Sequence, residues 1–226
     1  NPADIHTISN NLVYKIYEDS RGRIWIGTAG GLCLFNPRNN SFLRIPFRDE
    51  TELDRFTVTV YDIYEDSKKR LWIGTDDNFY LFDAGLTVCV GFKGNKPNQP
   101  FVISKMIEDK NGILWLGTNK GVCSFDPQTK VIKDYGKSDG IHYLNYYPTS
   151  GTLTWDGLIY LGSSKGLTVF NPLKIKDDPY IPPVFITGLS INNIPVEPGP
   201  ENALIGSSIE YVKQIRLNYK QSTLFF

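Results

Sequence analysis

The 226-residue sequence is poor in several residue types, and each shortage argues against a class of protein. It has four alanines and one methionine, against 13 tyrosines, 13 phenylalanines and 20 glycines. Alanine is the strongest helix former, whereas aromatic residues favour strands, so the composition argues against a helical bundle. Basic and acidic residues balance at 24 each, so nothing in this segment would neutralise a nucleic-acid backbone.

Signals for metals, disulfides and membrane spans are also scarce. The cysteines Cys33, Cys89 and Cys123 form no C-x-x-C pair, and the two histidines stand far apart, so neither a zinc site nor a disulfide framework is indicated. No catalytic or nucleotide-binding motif occurs, and no apolar run is long enough to span a bilayer. We therefore expect no cofactor and no metal, and we expect this segment not to be an enzyme.

The main signal is an internal repeat with a period of about 45 residues. Each copy has an aromatic residue before a glycine, then a turn, then a phenylalanine followed by asparagine or aspartate. Such a period, made of short strands, is typical of β-propeller blades with about four strands each. The copies are centred on Trp25, Trp72, Trp115 and Tyr160. In the first copy, alternation predicts strands at Leu12–Glu18, Arg23–Thr28, Leu32–Phe35 and Ser41–Ile45.

Glycines recur at fixed places in the repeat. One follows the first strand in three copies, where a tight turn needs a positive φ, and the second copy has Lys69 there instead. If Lys69 keeps the same conformation, we expect a cost of about 1–2 kcal/mol. A second glycine lies inside a strand in all four copies, and it predicts a close approach to the neighbouring blade. These strand glycines are Gly27, Gly74, Gly117 and Gly162.

A glutamate–aspartate pair stands at the same turn in three copies, as in Glu18-Asp19. Paired carboxylates can serve as acid and base or bind a metal. A catalytic pair is not built three times, however, and an aspartate at a turn accepts hydrogen bonds from nearby backbone N–H groups. We therefore interpret the pairs as structural.

Together these motifs resemble the two-component regulator propeller repeat, written L-x-x-N-x-V-x-x-I-x-E-D-x-x-G-x-L-W-I-G-T-x-x-G-L-x-x-F-D-P. The stretch 182–192, followed by 215–219 and 224–226, resembles the opening of the Y_Y_Y domain, an immunoglobulin-like module that follows the last blade in such receptors. The resemblance implies an all-β chain with four consecutive four-stranded blades over residues 1–176, part of a larger propeller. Residues 177–226 would begin an immunoglobulin-like β-sandwich.

The same resemblance implies the periplasmic part of an inner-membrane hybrid two-component histidine kinase. Such a receptor detects oligosaccharides and regulates transcription of glycan-utilisation genes, with its kinase domain outside this segment. The sequence begins without a methionine and stops inside an apolar stretch, so we expect a piece of a longer protein. We also expect self-association as a homodimer, because open blade edges present unpaired backbone groups.

A sugar site needs exposed aromatic rings and polar groups, and aromatics outside the repeat pattern are the candidates. The predicted ligand-binding residues are His142, Tyr143, Asn145, Tyr146 and Trp155. The alternative is that these rings fill the interface between blades. Two other functions stay open: a structural, dimerising and signal-transmitting segment without a ligand site, and a polysaccharide-cleaving propeller that uses Asp139 or Asp156.

Overall fold

The structure is a computed structural model of the chain. It describes residues 4, 6–48, 54–85, 87–92, 101–141, 145–175, 186–199, 204–205, 207–217, 219, 221 and 223–225. The chain divides into two compact units, Asn1–Ile175 and Lys176–Phe226. No helix within the described ranges is long and apolar enough to cross a membrane.

The first blade is a four-stranded antiparallel meander in the order β1-β2-β3-β4. Its strands agree with the prediction to within one residue at each end, because the apolar alternation and the turn glycines fix the register. They are β1 (Val13–Glu18), β2 (Ile24–Thr28), β3 (Gly31–Asn36) and β4 (Ser41–Ile45).

The second blade has six strands where four were predicted, in the order β6-β5-β10-β9-β8-β7. The link from the first blade supplies the two extra strands, and β5 pairs in parallel with β10 at the outer edge of the blade. This addition buries Phe47 against the ring of Tyr80. The strands are β5 (Phe47–Arg48), β6 (Asp54–Arg55), β7 (Val60–Glu65), β8 (Leu71–Thr75), β9 (Phe79–Asp83) and β10 (Val88–Phe92).

The third blade is again a four-stranded meander, and the fourth has three strands among the described residues. Directly after its third strand, Asn171 caps a 3₁₀ helix, Pro172–Lys174, and the predicted fourth strand is not among the described residues. The strands of the third blade are β11 (Ile103–Glu108), β12 (Leu114–Thr118), β13 (Gly121–Phe125) and β14 (Ile132–Tyr135). Those of the fourth are β15 (Tyr146–Leu153), β16 (Ile159–Ser163) and β17 (Gly166–Phe170).

Each buried tryptophan packs on a phenylalanine of the next blade. The ring centroids of Trp25 and Phe82 are 4.7 Å apart, those of Trp72 and Phe125 are 5.4 Å apart, and those of Trp115 and Phe170 are 5.0 Å apart. Large rings in contact contribute strongly to a core, so the repeated tryptophans hold neighbouring blades together. This agrees with their predicted place in the core.

The close approach to the neighbouring blade that was predicted for the four strand glycines is present at three of them. A Cβ on Gly27 would lie 2.6 Å from Val60 of the second blade, and one on Gly74 would lie 2.9 Å from Ile103 of the third. On Gly117 it would lie 3.3 Å from Tyr146 of the fourth blade. Gly162 differs, because its nearest neighbour is Ser150 of its own blade.

The turn that contains Lys69 keeps the left-handed conformation used by glycine in the other copies. Lys69 has a φ of 64°, against 72° for Gly22 and 79° for Gly112. A lysine side chain is disfavoured there, so the predicted strain is present in the second blade.

The second unit contains one small described sheet in the order β19-β18-β20. Its core consists of four buried residues, Leu189, Ile191, Ile205 and Ile209. The described strands do not make the second layer of a sandwich. They are β18 (Ser190–Ile191), β19 (Ile194–Pro195) and β20 (Leu224–Phe225).

Candidate functional site

Each blade has two ends, which we call upper and lower. The upper end carries the start of the innermost strand and the turn between the second and third strands. The lower end carries the turn between the first and second strands. In the fourth blade, Tyr146 pairs with Ser163 near the upper end, and Leu153 pairs with Ile159 near the lower end.

The structure separates the predicted ligand-binding residues. Asn145 is exposed at the upper end with a φ of 60°, whereas Trp155 is 92% exposed in the turn at the lower end. An eight-residue strand separates them, which corresponds to roughly 20 Å. His142 and Tyr143 lie outside the described residues. Asn145 and Trp155 therefore cannot contact the same small sugar.

Tyr146 is part of the interface between the third and fourth blades. Its side chain is 3% exposed, and its hydroxyl shares a 2.8 Å hydrogen bond with Thr168 Oγ1. Burial raises the pKa of this hydroxyl. Its ring packs beside Gly117, so no face is free for a sugar to stack on, and the alternative left open by the sequence, a packing role, describes this residue.

The aspartates of the glutamate–aspartate pairs are structural, as interpreted from the sequence. Each accepts a hydrogen bond from the indole Nε1 of the tryptophan six residues later, at 2.8 Å for Asp19, 2.8 Å for Asp66 and 2.9 Å for Asp109. Burial alone would raise the pKa of Asp19, but hydrogen bonds from Trp25 and Arg23 outweigh it and hold that pKa below its usual range. These carboxylates are occupied in organising the turns.

The glutamates of the pairs join neighbouring blades. Glu65 accepts hydrogen bonds from the backbone N–H of Ser20 at 2.9 Å and from its hydroxyl at 2.8 Å. Glu108 accepts the same two bonds from Ser67, both at 2.7 Å. We call this contact the serine–glutamate latch. The sequence signal for it was the serine that follows the aspartate in the first two copies.

Ion pairs between charged side chains connect the innermost strands of three blades. Asp62 is completely buried and pairs with Lys15 Nζ at 3.3 Å and with Lys105 Nζ at 3.2 Å. It also accepts a hydrogen bond from the backbone N–H of Met106 at 2.9 Å. A buried carboxylate needs such partners, so these residues fix the packing of the inner strands. The sequence signal for these ion pairs is the alternation of lysine, aspartate and lysine at the same position of the first three copies.

The second blade carries a partly exposed cluster around Arg55 at its upper end. Arg55 Nη2 donates to Asp77 Oδ2 at 2.8 Å and to the Tyr80 hydroxyl at 2.7 Å. The side chains of Arg55 and Asp77 are 39% and 34% exposed, and the neighbouring Phe56 is also exposed. We call these four residues the upper cluster. The sequence signal for this cluster is the turn 76–78, where Asn78 replaces the glycine of the other copies.

The acids considered for catalysis have local structural partners. Asp139 accepts a hydrogen bond from the backbone N–H of Gly136, and Asp156 accepts one from the Thr154 hydroxyl. Over the part of the chain that the structure describes, no group of three or more histidine, cysteine or acidic side chains could hold a metal ion. Burial raises the pKa of the Cys89 and Cys123 thiols, so neither is activated as a nucleophile.

A groove of about 520 Å³ lies within the second unit. It is lined by residues of the small core and the strands around it, including Leu189, Val196, Ile205, Ile209 and Phe225. None of the predicted ligand-binding residues lines this groove.

The first three copies of the repeat match a known protein family. The family described as Two component regulator propeller matches residues 7–30, 56–77 and 96–120, which carry the first three copies. These three copies are two-component regulator propeller repeats. The fourth copy, with Tyr160 in place of tryptophan and Leu153 in place of glutamate, lies outside the matched ranges.

Longer proteins are similar to this chain over most of its length. Histidine kinase P4 of Formosa agariphila is 30% identical over 98% of this chain and 16% of its own length. The extracellular domain of the hybrid two-component system BT3049 of B. thetaiotaomicron is 29% identical, with a TM-score of 0.65 over 86% of this chain and 27% of that chain. The extracellular domain of BT4673 from the same organism shares the fold, with a TM-score of 0.59 at 20% identity, over 96% of this chain and 41% of that chain.

These propeller repeats therefore form part of the extracellular sensor domain of a two-component system. The chain spans about one sixth of the curated relative and about a quarter of the first solved structure. The catalytic kinase domain is not covered by this chain.

Proposed function

We propose that the chain belongs to the sensor region of a hybrid two-component histidine kinase that detects an oligosaccharide and regulates transcription of glycan-utilisation genes. The relatives support the receptor class, and the chemistry of the propeller surface supports the ligand class. Loops at one end of a rigid propeller converge, and ligands bind where loops meet on such a scaffold.

The single observation that carries the ligand proposal is the upper cluster. Sugars are held by stacking on an aromatic ring and by charged or polar groups that pair with hydroxyls. Phe56 offers an exposed ring next to Arg55, whose guanidinium already holds Asp77 and can share donors with a hydroxyl. These residues depart from the repeat pattern, so blade architecture alone does not require them.

Asn145, at the upper end of the fourth blade, remains part of this proposal, because it is exposed beside the start of β15. His142 and Tyr143 stay proposed from the sequence alone. Trp155, at the lower end, would belong to a separate contact. We therefore assign ligand contact first to the upper cluster and Asn145.

The second unit would carry the signal towards the membrane. We propose that residues 177–226 begin the Y_Y_Y module, as the sequence resemblance implies, and that residues 1–176 are its propeller neighbour. A ligand shifts a two-state receptor only by its different affinity for the two states, so the module would read a change in the propeller.

The second candidate function is a structural, dimerising and signal-transmitting segment without a ligand site. The outer edge of β17 favours it, because within the described residues β17 pairs with β16 alone and exposes Leu167 and Val169. An open strand edge is a template for association. We propose a homodimer through such edges, and light scattering that finds a monodisperse monomer at micromolar concentration would contradict it.

Isothermal titration calorimetry against neutral and acidic oligosaccharides tests the ligand proposal. We expect heat from one glycan class, a loss of at least tenfold in affinity for Phe56→Ala and Arg55→Gln, and unchanged affinity for Trp155→Ala, the matched control at the lower end. Thermal unfolding of each variant separates lost binding from lost folding. Silence with every glycan, at full stability, would favour the second function.

A further inference from the structure

The first blade exposes the face that the later blades bury against the blade before them. Ile16 is 65% exposed, whereas its equivalents Ile63 and Met106 are 1% and 0% exposed. Val13 is likewise exposed, and its equivalent Val60 is buried. We call the face built from Val13, Ile16 and Glu18 the incoming face.

Glu18 lies at the lower end of the incoming face, at the position of Glu65 and Glu108. Both of those carboxylates are held by the serine of the preceding blade. In the same interfaces, a tyrosine hydroxyl of the preceding blade accepts the backbone N–H of the glutamate, at 3.4 Å from Glu108 N to Tyr64. Glu18 itself is exposed. The first blade therefore presents the acceptor half of a latch.

The donor half is the sequence Tyr-x-Asp-Ser at the lower turn, which occurs in the first two blades. The third blade replaces it, with Ile107 for tyrosine and Lys110 for serine, and it meets a fourth blade that has Leu153 for glutamate. Donor and acceptor thus change together, giving two kinds of interface, one polar and one apolar. Because the incoming face carries Glu18, it belongs to the polar kind.

The inner strand favours the same kind of partner. Lys15 pairs with Asp62 of the second blade at 3.3 Å, and its side chain remains 22% exposed. A partner blade that resembles the second blade would have aspartate at this inner position and would place the opposite charge against Lys15. Like charges directly opposite each other across strands are unfavourable, so a blade with lysine there fits less well.

We propose that the incoming face is a docking surface for a further blade of the same repeat, one that carries Tyr-x-Asp-Ser at its lower turn and binds Glu18 through the serine hydroxyl and N–H. A second copy of this chain would offer its fourth blade, which has Thr152, Thr154 and Trp155 at the tyrosine, aspartate and serine positions. That blade lacks the donor half, so the occupant is a blade of the second-blade type. The curated relative, of which this chain spans 16%, is long enough for more blades.

A fusion of a second-blade copy to the whole chain tests this pairing. Residues 54–98 are added ahead of Asn1, and Glu18→Gln is compared in the fused and original chains by urea unfolding. In the original chain we expect a change in the unfolding equilibrium constant within twofold, because the carboxylate is exposed. In the fused chain we expect an increase of about tenfold, the usual effect of losing a charged hydrogen-bond acceptor.

The matched control is Ser67→Lys in the added copy alone, which gives it the residue of the third blade and should remove the tenfold difference. Hydrogen exchange of the amides from Val13 to Glu18 provides a second measurement, since docking should slow it. Equal effects of Glu18→Gln in both chains, or unchanged exchange, would overturn the proposal. Dimers of the original chain that disappear with Ile16→Asp would show that a second copy occupies the face instead.

Discussion

Replacing Asp66 by asparagine should destabilise the propeller unit strongly. Asp66 Oδ1 accepts the backbone N–H groups of Lys68 at 3.0 Å and Arg70 at 2.9 Å. Its Oδ2 accepts Trp72 Nε1 at 2.8 Å and Arg70 Nε at 2.6 Å. An asparagine has only one acceptor oxygen. Whichever way it is turned, its NH₂ group would face either the side-chain donors of Trp72 and Arg70 or the two backbone N–H groups.

The magnitude follows from which donors lose their acceptor. The indole N–H of Trp72 is buried, and leaving such a donor unsatisfied costs about 1–3 kcal/mol. The guanidinium of Arg70 is partly exposed and can turn to water, so its loss adds about 1 kcal/mol. We expect about 3 kcal/mol in the free energy of unfolding, more than a hundredfold in the equilibrium constant.

Urea unfolding at pH 7, followed by circular dichroism and tryptophan fluorescence, measures this cost. Asp109→Asn is the matched comparison, because Asp109 binds Trp115 in the same way but has Ile113 where Asp66 has an arginine. We expect about 2 kcal/mol there. Asp126→Asn, at a turn without a tryptophan partner, should cost less than about 1 kcal/mol. A cost below about 1 kcal/mol for Asp66→Asn, or equal costs at Asp66 and Asp126, would refute the reasoning.

Three further outcomes follow from the same structure. Lys69→Gly should stabilise the protein by about 1 kcal/mol, because φ is 64° at this position, and Lys68→Gly in the same turn should not; equal effects in urea unfolding would contradict this. Asp19 has a lowered pKa in the folded chain, so its contribution to stability should be complete above about pH 4 and fall as the pH drops further, with Asp19→Asn showing a shallower loss between pH 4 and pH 2. Cys33, Cys89 and Cys123 are buried free thiols, so they should react with a thiol reagent only after unfolding, and labelling of the native protein at the rate of the unfolded chain would disprove that burial.

The repeat made much of the fold predictable. Strand positions in the first blade, the turn glycines and the core tryptophans recur with a fixed spacing, so each copy supports the interpretation of the others. The structural role of Asp19 followed from the same argument, since three equivalent turns cannot each be a catalytic site. Residues that recur in every copy therefore indicate the packing and turns that all blades share.

Features that depend on one blade were harder to predict. Tyr146 stood out as an aromatic beyond the pattern, yet it occupies the buried position of Ile103, because β15 shifts its register between Tyr146 and Gly151 and holds extra residues. The upper cluster joins Arg55 to Asp77 from separate segments, and β5 pairs with β10 from the link between blades. No local pattern reports such pairings, since they depend on how the link folds back across the blade.

The packing of each buried tryptophan against a phenylalanine of the following blade gives the assembly of this chain a direction. Trp25 meets Phe82, Trp72 meets Phe125 and Trp115 meets Phe170, each partner lying later in the sequence. A blade that has formed its own strands therefore still lacks one aromatic contact of its tryptophan until the next blade folds. During synthesis from the amino end, the blades would therefore fold in order. Each new blade packs on the blade before it and supplies the phenylalanine that covers the tryptophan of that earlier blade.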